Sequence, residues 1–199
     1  MNVSVIIAHP NIKSFNHAIF LETLKVLKSN NHNIFSHNLY KENFDPVMNC
    51  EELGFDRINN DLVKIHCEEI VKADGIIVIH PNWWGQPPAI LKGWVDRVFR
   101  ENIAYKFNEG DSGEGIPKGL LKVKTAVVFN TSNTPKEREI EVFKDPLETI
   151  WKNCIFNYCG VKNFSRRMFC VIAGSSLEQR IKWLYEVNEI VNSSFPKDI

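Results

Sequence analysis

The sequence is short of the features that mark several large functional classes. Lys+Arg and Asp+Glu are each 24, so there is no net charge. A nucleic-acid binder would normally show a basic excess, and membrane attachment through basic residues would need a cationic cluster. No stretch approaches the roughly 20 apolar residues of a membrane span. The start, Met1-Asn2-Val3-Ser4-Val5-Ile6-Ile7, lacks the basic and apolar regions of a signal peptide. The five cysteines, Cys50, Cys67, Cys154, Cys159 and Cys170, are odd in number and contain no C-x-x-C. That argues against a disulfide framework or a thiolate metal site and for reduced thiols in a cytoplasmic protein. The six histidines show neither H-x-x-x-H nor H-E-x-x-H spacing, so no metal is expected. There is no G-x-S-x-G elbow for a hydrolase nucleophile. The loop after the first apolar run has no glycine, which removes both the G-x-G-x-x-G fingerprint and the P-loop.

What is present is a regular alternation. Val3–Ala8, Asn33–Leu39, Ile76–Ile79, Thr125–Phe129 and Phe169–Ile172 read as strands, the third an unbroken β-branched run. Between and after them lie helical patterns. One carries Ala18, Leu21, Leu24 and Leu27; a second, over Asp56–Lys72, carries Ile58, Leu62 and Ile65. Ala89–Phe99 and a stretch within Pro146–Tyr158 follow. The last, Ser176–Val191, has Leu177, Ile181, Leu184 and Val187 at helical spacing. His66-Cys67-Glu68-Glu69 reads as a solvated helix face. Five β-α alternations in 199 residues imply an α/β, three-layer flavodoxin-like domain over 1–199. Its parallel sheet would run 2-1-3-4-5 with helices on both faces.

In such sheets ligands bind beyond the carboxyl ends of the strands, at the switch point. Three loops therefore matter. The first holds His9, Ser14, Phe15 and Asn16 at a helix N-terminus, where free N–H groups suit a phosphate; Ser14 would equally serve as a simple N-cap. The second holds Pro81, Asn82, Trp83, Trp84 and Gly85. Two adjacent indoles at the end of the most apolar strand could flank a planar heteroaromatic ring, or pack inward on the next helix. The third, Thr131-Ser132-Asn133, could supply donors to the same ring, or form an ordinary turn.

These residues resemble the NAD(P)H:quinone oxidoreductases, the DT-diaphorase-like branch of the flavodoxin-like flavoproteins. The resemblance lies in Ala8-His9-Pro10 with Ser14-Phe15-Asn16, and above all in Pro81-Asn82-Trp83-Trp84-Gly85 with the string from Pro88 to Phe99, P-A-I-L-K-G-W-V-D-R-V-F. Ala104-Tyr105 and Cys159-Gly160 are also similar. The resemblance implies a bound flavin, FAD or FMN, NADH or NADPH as co-substrate, a homodimer, and two-electron reduction of a quinone. It assigns His9, Phe15 and Asn16 to the phosphate or ribityl region and Asn82, Trp83, Trp84 and Gly85 to the isoalloxazine. Thr131 and Asn133 would reach its polar edge, with Ser132-Asn133 in place of the family's glycine pair. Trp84 and Tyr105 would wall the substrate pocket. The family's downstream Tyr and His have no counterpart, since Pro135–Asp145 contains neither and Phe143-Lys144 falls at the position of the His. No catalytic side chain is therefore assigned. The absence of a long C-terminal extension leaves FMN open beside FAD. Two other readings fit the same fold: an ancillary flavoprotein regulating a membrane transporter, and a flavodoxin-type electron carrier, against which the balanced charge speaks.

Overall fold

A computed structural model describes residues 1–53, 58–111 and 113–197. Five parallel strands form one sheet: β1 (Asn2–Ile7), β2 (Asn33–Asn38), β3 (Gly75–Pro81), β4 (Thr125–Thr131) and β5 (Asn163–Phe169). Their order is β2-β1-β3-β4-β5, the 2-1-3-4-5 order expected. Among the described residues the α-helices that connect or close the strands are α1 (Phe15–Ser29), α2 (Asp61–Lys72), α3 (Ala89–Val98), α4 (Pro146–Thr149) and α5 (Leu177–Ser194). From α4 the chain continues in wider i+5 turns over Ile150–Asn157. A two-residue antiparallel ribbon pairs Tyr105–Lys106 with Lys118–Gly119. Among the described residues no helix is long and apolar enough to cross a membrane.

The central strands read as continuous apolar runs because both sheet faces are covered. Period-2 alternation sends Ile6, Ile76, Val78 and Val128 to one face, under α2 and α3. Val5, Ile7, Ile77, Ile79 and Phe129 go to the other, under α1 and α5.

Three expectations need correction. The fifth strand runs over Asn163–Phe169, not Phe169–Ile172. It is an edge strand with Arg166 and Arg167 at its centre, so only part of it faces the core and its apolar signal is weak. Beyond Phe169 the apolar run read as the strand lies past its end, where Val171 adopts φ +56°.

The helix faces are also differently phased. In α1 the buried residues include Ile19, Phe20, Thr23, Val26 and Leu27, while Leu21 is exposed. In α5, Trp183, Val187 and Val191 face inward, whereas Leu177 and Ile181 point out. In α2 the core face is Val63, His66, Cys67 and Ile70, at i, i+3, i+4 and i+7, and Ile65 is exposed. His66 and Cys67 are thus core residues and not part of a solvated face. Asp56 lies outside the described residues, but Ile58, expected in this helix, precedes it, because α2 begins at Asp61 behind its N-cap Asn60.

The string from Pro88 to Phe99 mostly fastens α3. Gly93 sits against Pro46, whose carbonyl oxygen would be 2.2 Å from any Cβ there. Trp94 Nε1 donates to His66 Nδ1 at 2.8 Å. Arg97, buried, donates to Glu52 at 2.6 Å and to the Asp45 carbonyl at 2.6 Å.

Candidate functional site

The carboxyl ends of β1, β3 and β4 open onto one cleft of about 850 Å³, within the size range of small-molecule sites. The first loop brings His9, Lys13, Ser14, Phe15 and Asn16 to it. The second brings Pro81, Asn82, Trp83, Trp84 and Gly85, and the third Thr131, Ser132, Asn133 and Thr134. Glu139, Phe143, Pro146, Ile172 and Arg180 complete the lining. Tyr105 is not brought to this cleft; its ring lies edge-on to Tyr158 and Phe107.

At one wall stands the N-terminus of α1. Ser14 is its N-cap, its Oγ accepting the His17 N–H at 3.3 Å. The early N–H groups of a helix have no intrahelical partner, and the first turn carries no acidic residue. Asn38 fixes the protons nearby. Its Oδ1 accepts the Lys41 N–H, so its Nδ2 donates to His17 Nε2 at 3.1 Å. His17 Nδ1, 3.3 Å from Ser14 Oγ, therefore carries the ring proton. It takes no hydrogen from Ser14, whose own O–H is left for an acceptor. Burial holds the His9 and His17 pKa values below the ordinary imidazole range.

The second wall is a tight turn. Trp83 and Gln86 exchange both backbone hydrogen bonds at 3.0 Å. Trp84 and Gly85 between them have φ +58° and +71°, the signature of a type I′ turn. Trp84 is fully exposed (101%) and Trp83 is 43% exposed, so neither indole is packed into the core. Gly85 lies against Pro146, whose Cγ would be 2.8 Å from a Cβ at this position. Pro146 follows Asp145, held at φ +46°. Arg166 of β5 pins that corner: it pairs with Asp145, donates to Glu148 at 2.9 Å and to Asn130 Oδ1 at 2.7 Å.

At the floor, Asn82 N–H donates to the Thr131 carbonyl at 2.6 Å, and Asn16 Nδ2 donates to Thr131 Oγ1 at 2.8 Å. Asn16 Oδ1 and Asn82 Oδ1 are buried acceptors with no partner among the described residues. Glu139 gave no signal in the sequence, because the charge-rich stretch around it reads as solvated. It is 2% exposed and receives Ser132 Oγ–H at 2.6 Å.

These features fit a flavin nucleotide. A helix terminus with a free hydroxyl suits its phosphate, exposed indoles suit its planar ring, and two orphaned acceptors suit hydrogen donors on its polar groups.

A second polar cluster lies apart from this cleft. His37, Glu42 and His66 converge, with Glu69 beside them. His37 Nδ1 meets Glu42 at 3.0 Å and its Nε2 meets Glu69. Burial opposes charge on His37, but the two carboxylates overcome it and raise the pKa. Glu42 is likewise disfavoured by burial, yet His37 and His66 bring it down to about 2. His66 Nδ1 accepts from Trp94, so its neutral ring carries the proton on Nε2, facing Glu42 at 3.3 Å. The Nδ1 lone pair of His66 is thus taken by Trp94, while its Nε2 and Glu42 Oε2 complete no hydrogen bond among the described residues.

The family model described as the flavodoxin-like fold matches residues 1–182. The chain belongs to this family. It is 38% identical over 176 residues to a Haemophilus influenzae protein named as an uncharacterized NAD(P)H oxidoreductase, covering 85% of this chain and 83% of that one. It is 34% identical over 94 residues to an FMN-dependent NADH:quinone oxidoreductase of Pelagibacter ubique, covering 47% and 45% of the two chains. Among solved structures, Smu.1420 from Streptococcus mutans superposes with a TM-score of 0.81 at 28% identity, covering 97% of this chain and 100% of that one.

Proposed function

We propose that this member of the flavodoxin-like fold family is a flavin-dependent NAD(P)H:quinone oxidoreductase. The observation that carries the reading is the cleft at the sheet's carboxyl edge. It joins a helix N-terminus, two outward indoles and buried unpaired acceptors at the carboxyl ends of β1, β3 and β4. The kinship with the Haemophilus influenzae oxidoreductase supports it, and the Pelagibacter ubique relative supports FMN as the flavin.

The chemistry that a bound flavin supplies is two-electron transfer from NADH or NADPH to a quinone. This chain's residues bind and orient. Ser14 and the first-turn N–H groups of α1 hold the phosphate, with Lys13 beside them. His9, Phe15 and Asn16 line the ribityl region. Trp83, Trp84 and Gly85 wall the ring, and Pro81 and Asn82 back it. Thr131, Ser132 and Asn133 face its polar edge. Nicotinamide and quinone would enter the same cleft in turn. Phe143 lines the cleft and stands at the sequence position that the resemblance gives to the family's histidine, so no relay histidine is assigned. Tyr105 acts only across a homodimer interface, which we also propose, in the cytoplasm.

The test is direct. The purified protein is expected to be yellow, to oxidise NADH or NADPH, and to do so much faster with a quinone. A colourless protein that binds no added FMN or FAD would refute the cofactor assignment; a yellow protein inert towards every quinone would refute the reaction.

A further inference from the structure

Glu139 is a buried carboxylate at the floor of the cleft, on the one-turn wide helix Arg138–Val142 that follows β4. No cation pairs with it among the described residues. It is instead satisfied by neutral donors from two different loops. Ser132 Oγ–H reaches Oε1 at 2.6 Å, and Asn82 Nδ2 reaches both oxygens at 3.1 Å. Its backbone closes the same unit: the Asp145 N–H donates to the Glu139 carbonyl at 2.8 Å.

An amide nitrogen has only hydrogens to give, so both Glu139 oxygens accept from Asn82 Nδ2. That fixes every proton around it. Ser132 gives its one hydrogen to Glu139 and accepts the Thr134 N–H at 3.0 Å, so its hydroxyl can only accept from a ligand. Asn82 must turn its amide nitrogen to Glu139 and its Oδ1 away. That oxygen is buried, has no partner among the described residues, and belongs to a residue lining the cleft. A buried acceptor left empty carries an uncompensated desolvation penalty. A bound molecule that brings an N–H or O–H to it removes this cost; one that brings only lone pairs adds repulsion.

We propose that Glu139 is a positioning residue which locks the polarity of the Asn82 carboxamide, so that the cleft selects a ligand presenting a hydrogen donor at that point. This rests on the flavin reading for the identity of the ligand, not for the lock itself. Without Glu139 the amide is free to turn over, and the selection is lost.

The experiment is a double-mutant cycle read by FMN affinity, with hydrogen exchange of the Asn82 side-chain amide measured by NMR in flavin-free protein. Glu139→Gln should weaken FMN binding about tenfold, roughly 1.4 kcal/mol and the upper end of one neutral hydrogen bond, and should speed exchange of the Asn82 amide. Asn82→Asp should bind worse still, because two carboxylates then face each other. The double variant should recover to within a few-fold of wild type, since the introduced glutamine amide would then donate to the introduced aspartate and leave one aspartate oxygen facing the cleft. Recovery separates polarity from mere packing. A double variant no better than Asn82→Asp alone, or a Glu139→Gln protein with wild-type affinity, overturns the proposal. Should wild type bind no flavin, the proposed function fails; the proposal then stands or falls on the exchange measurement, where unchanged Asn82 protection in Glu139→Gln overturns it.

Discussion

Replacing Trp84 with Asn separates what the fold needs from what the cleft needs. Trp84 holds φ +58° with its ring wholly in solvent. A left-handed conformation costs an ordinary L-residue about 1–2 kcal/mol, whereas Asn visits it readily. Because the indole buries nothing in the core, removing it forfeits no transfer free energy. The net expectation is a gain of about 1 kcal/mol, which for a chain of this size raises Tm by roughly 2–4 °C. Gly would relax the same strain but would add unfolded-state entropy, so Asn is the cleaner probe. The melt is run on flavin-free protein, since a bound ligand stabilises by mass action and would mask the effect. FMN affinity should move the other way. An aromatic contact is worth about 0.5–1.5 kcal/mol, so binding should weaken roughly two- to twelvefold. A lowered Tm would mean that the ring is packed after all. An unchanged affinity would mean that Trp84 does not wall the ligand.

Other outcomes follow from the same geometry. The Ser14→Ala, Asn16→Ala double variant should lose about 1 kcal/mol of stability with its N-cap and most of its bound flavin; retained yellow colour after gel filtration would refute the phosphate site. Gly93→Ala should destabilise despite the roughly 1 kcal/mol gain in helix propensity, because the new Cβ meets the Pro46 backbone; chemical denaturation decides. His37→Gln should cost most at low pH. The His37 pKa is raised on folding, so its stabilisation is complete below the ordinary value of 6.5 and fades as pH rises through the raised one. The Glu42 contribution runs oppositely, complete above 4.5 and lost only as pH falls through about 2. A His37→Gln penalty that grew from pH 6 to pH 9 would contradict the cluster as described.

Much of this was legible in the sequence because it is local. The β-branched runs of β1, β3 and β4 follow from burial on both faces, and the three loops at their ends follow from the alternation. The misread parts depend on what packs where. Leu21 and Ile65 sit at plausible helical spacing, but the covering elements meet Ile19, Phe20, Val63 and His66 instead. The edge strand β5 hides behind Arg166 and Arg167, whose partners, Asp145 and Glu186, are distant in sequence. Glu139 is the sharpest case. A carboxylate in Lys136-Glu137-Arg138-Glu139 looks solvated until the Asn82 and Ser132 loops close over it. The family-like string was informative about kinship, yet Gly93, Trp94 and Arg97 fasten α3 to its neighbours and do not line the cleft.

The Arg166 corner constrains how such a sequence can drift. Arg166 holds Asp145, Asp145 sets the corner before Pro146, and Pro146 leaves room at position 85 only for glycine. A neutral change at any one of these sites is therefore conditional on the others. Related chains that have lost the arginine should also have replaced Pro146 or reshaped the Trp83-Trp84 turn, and substitutions on this outer strand should alter ligand preference without touching the ligand.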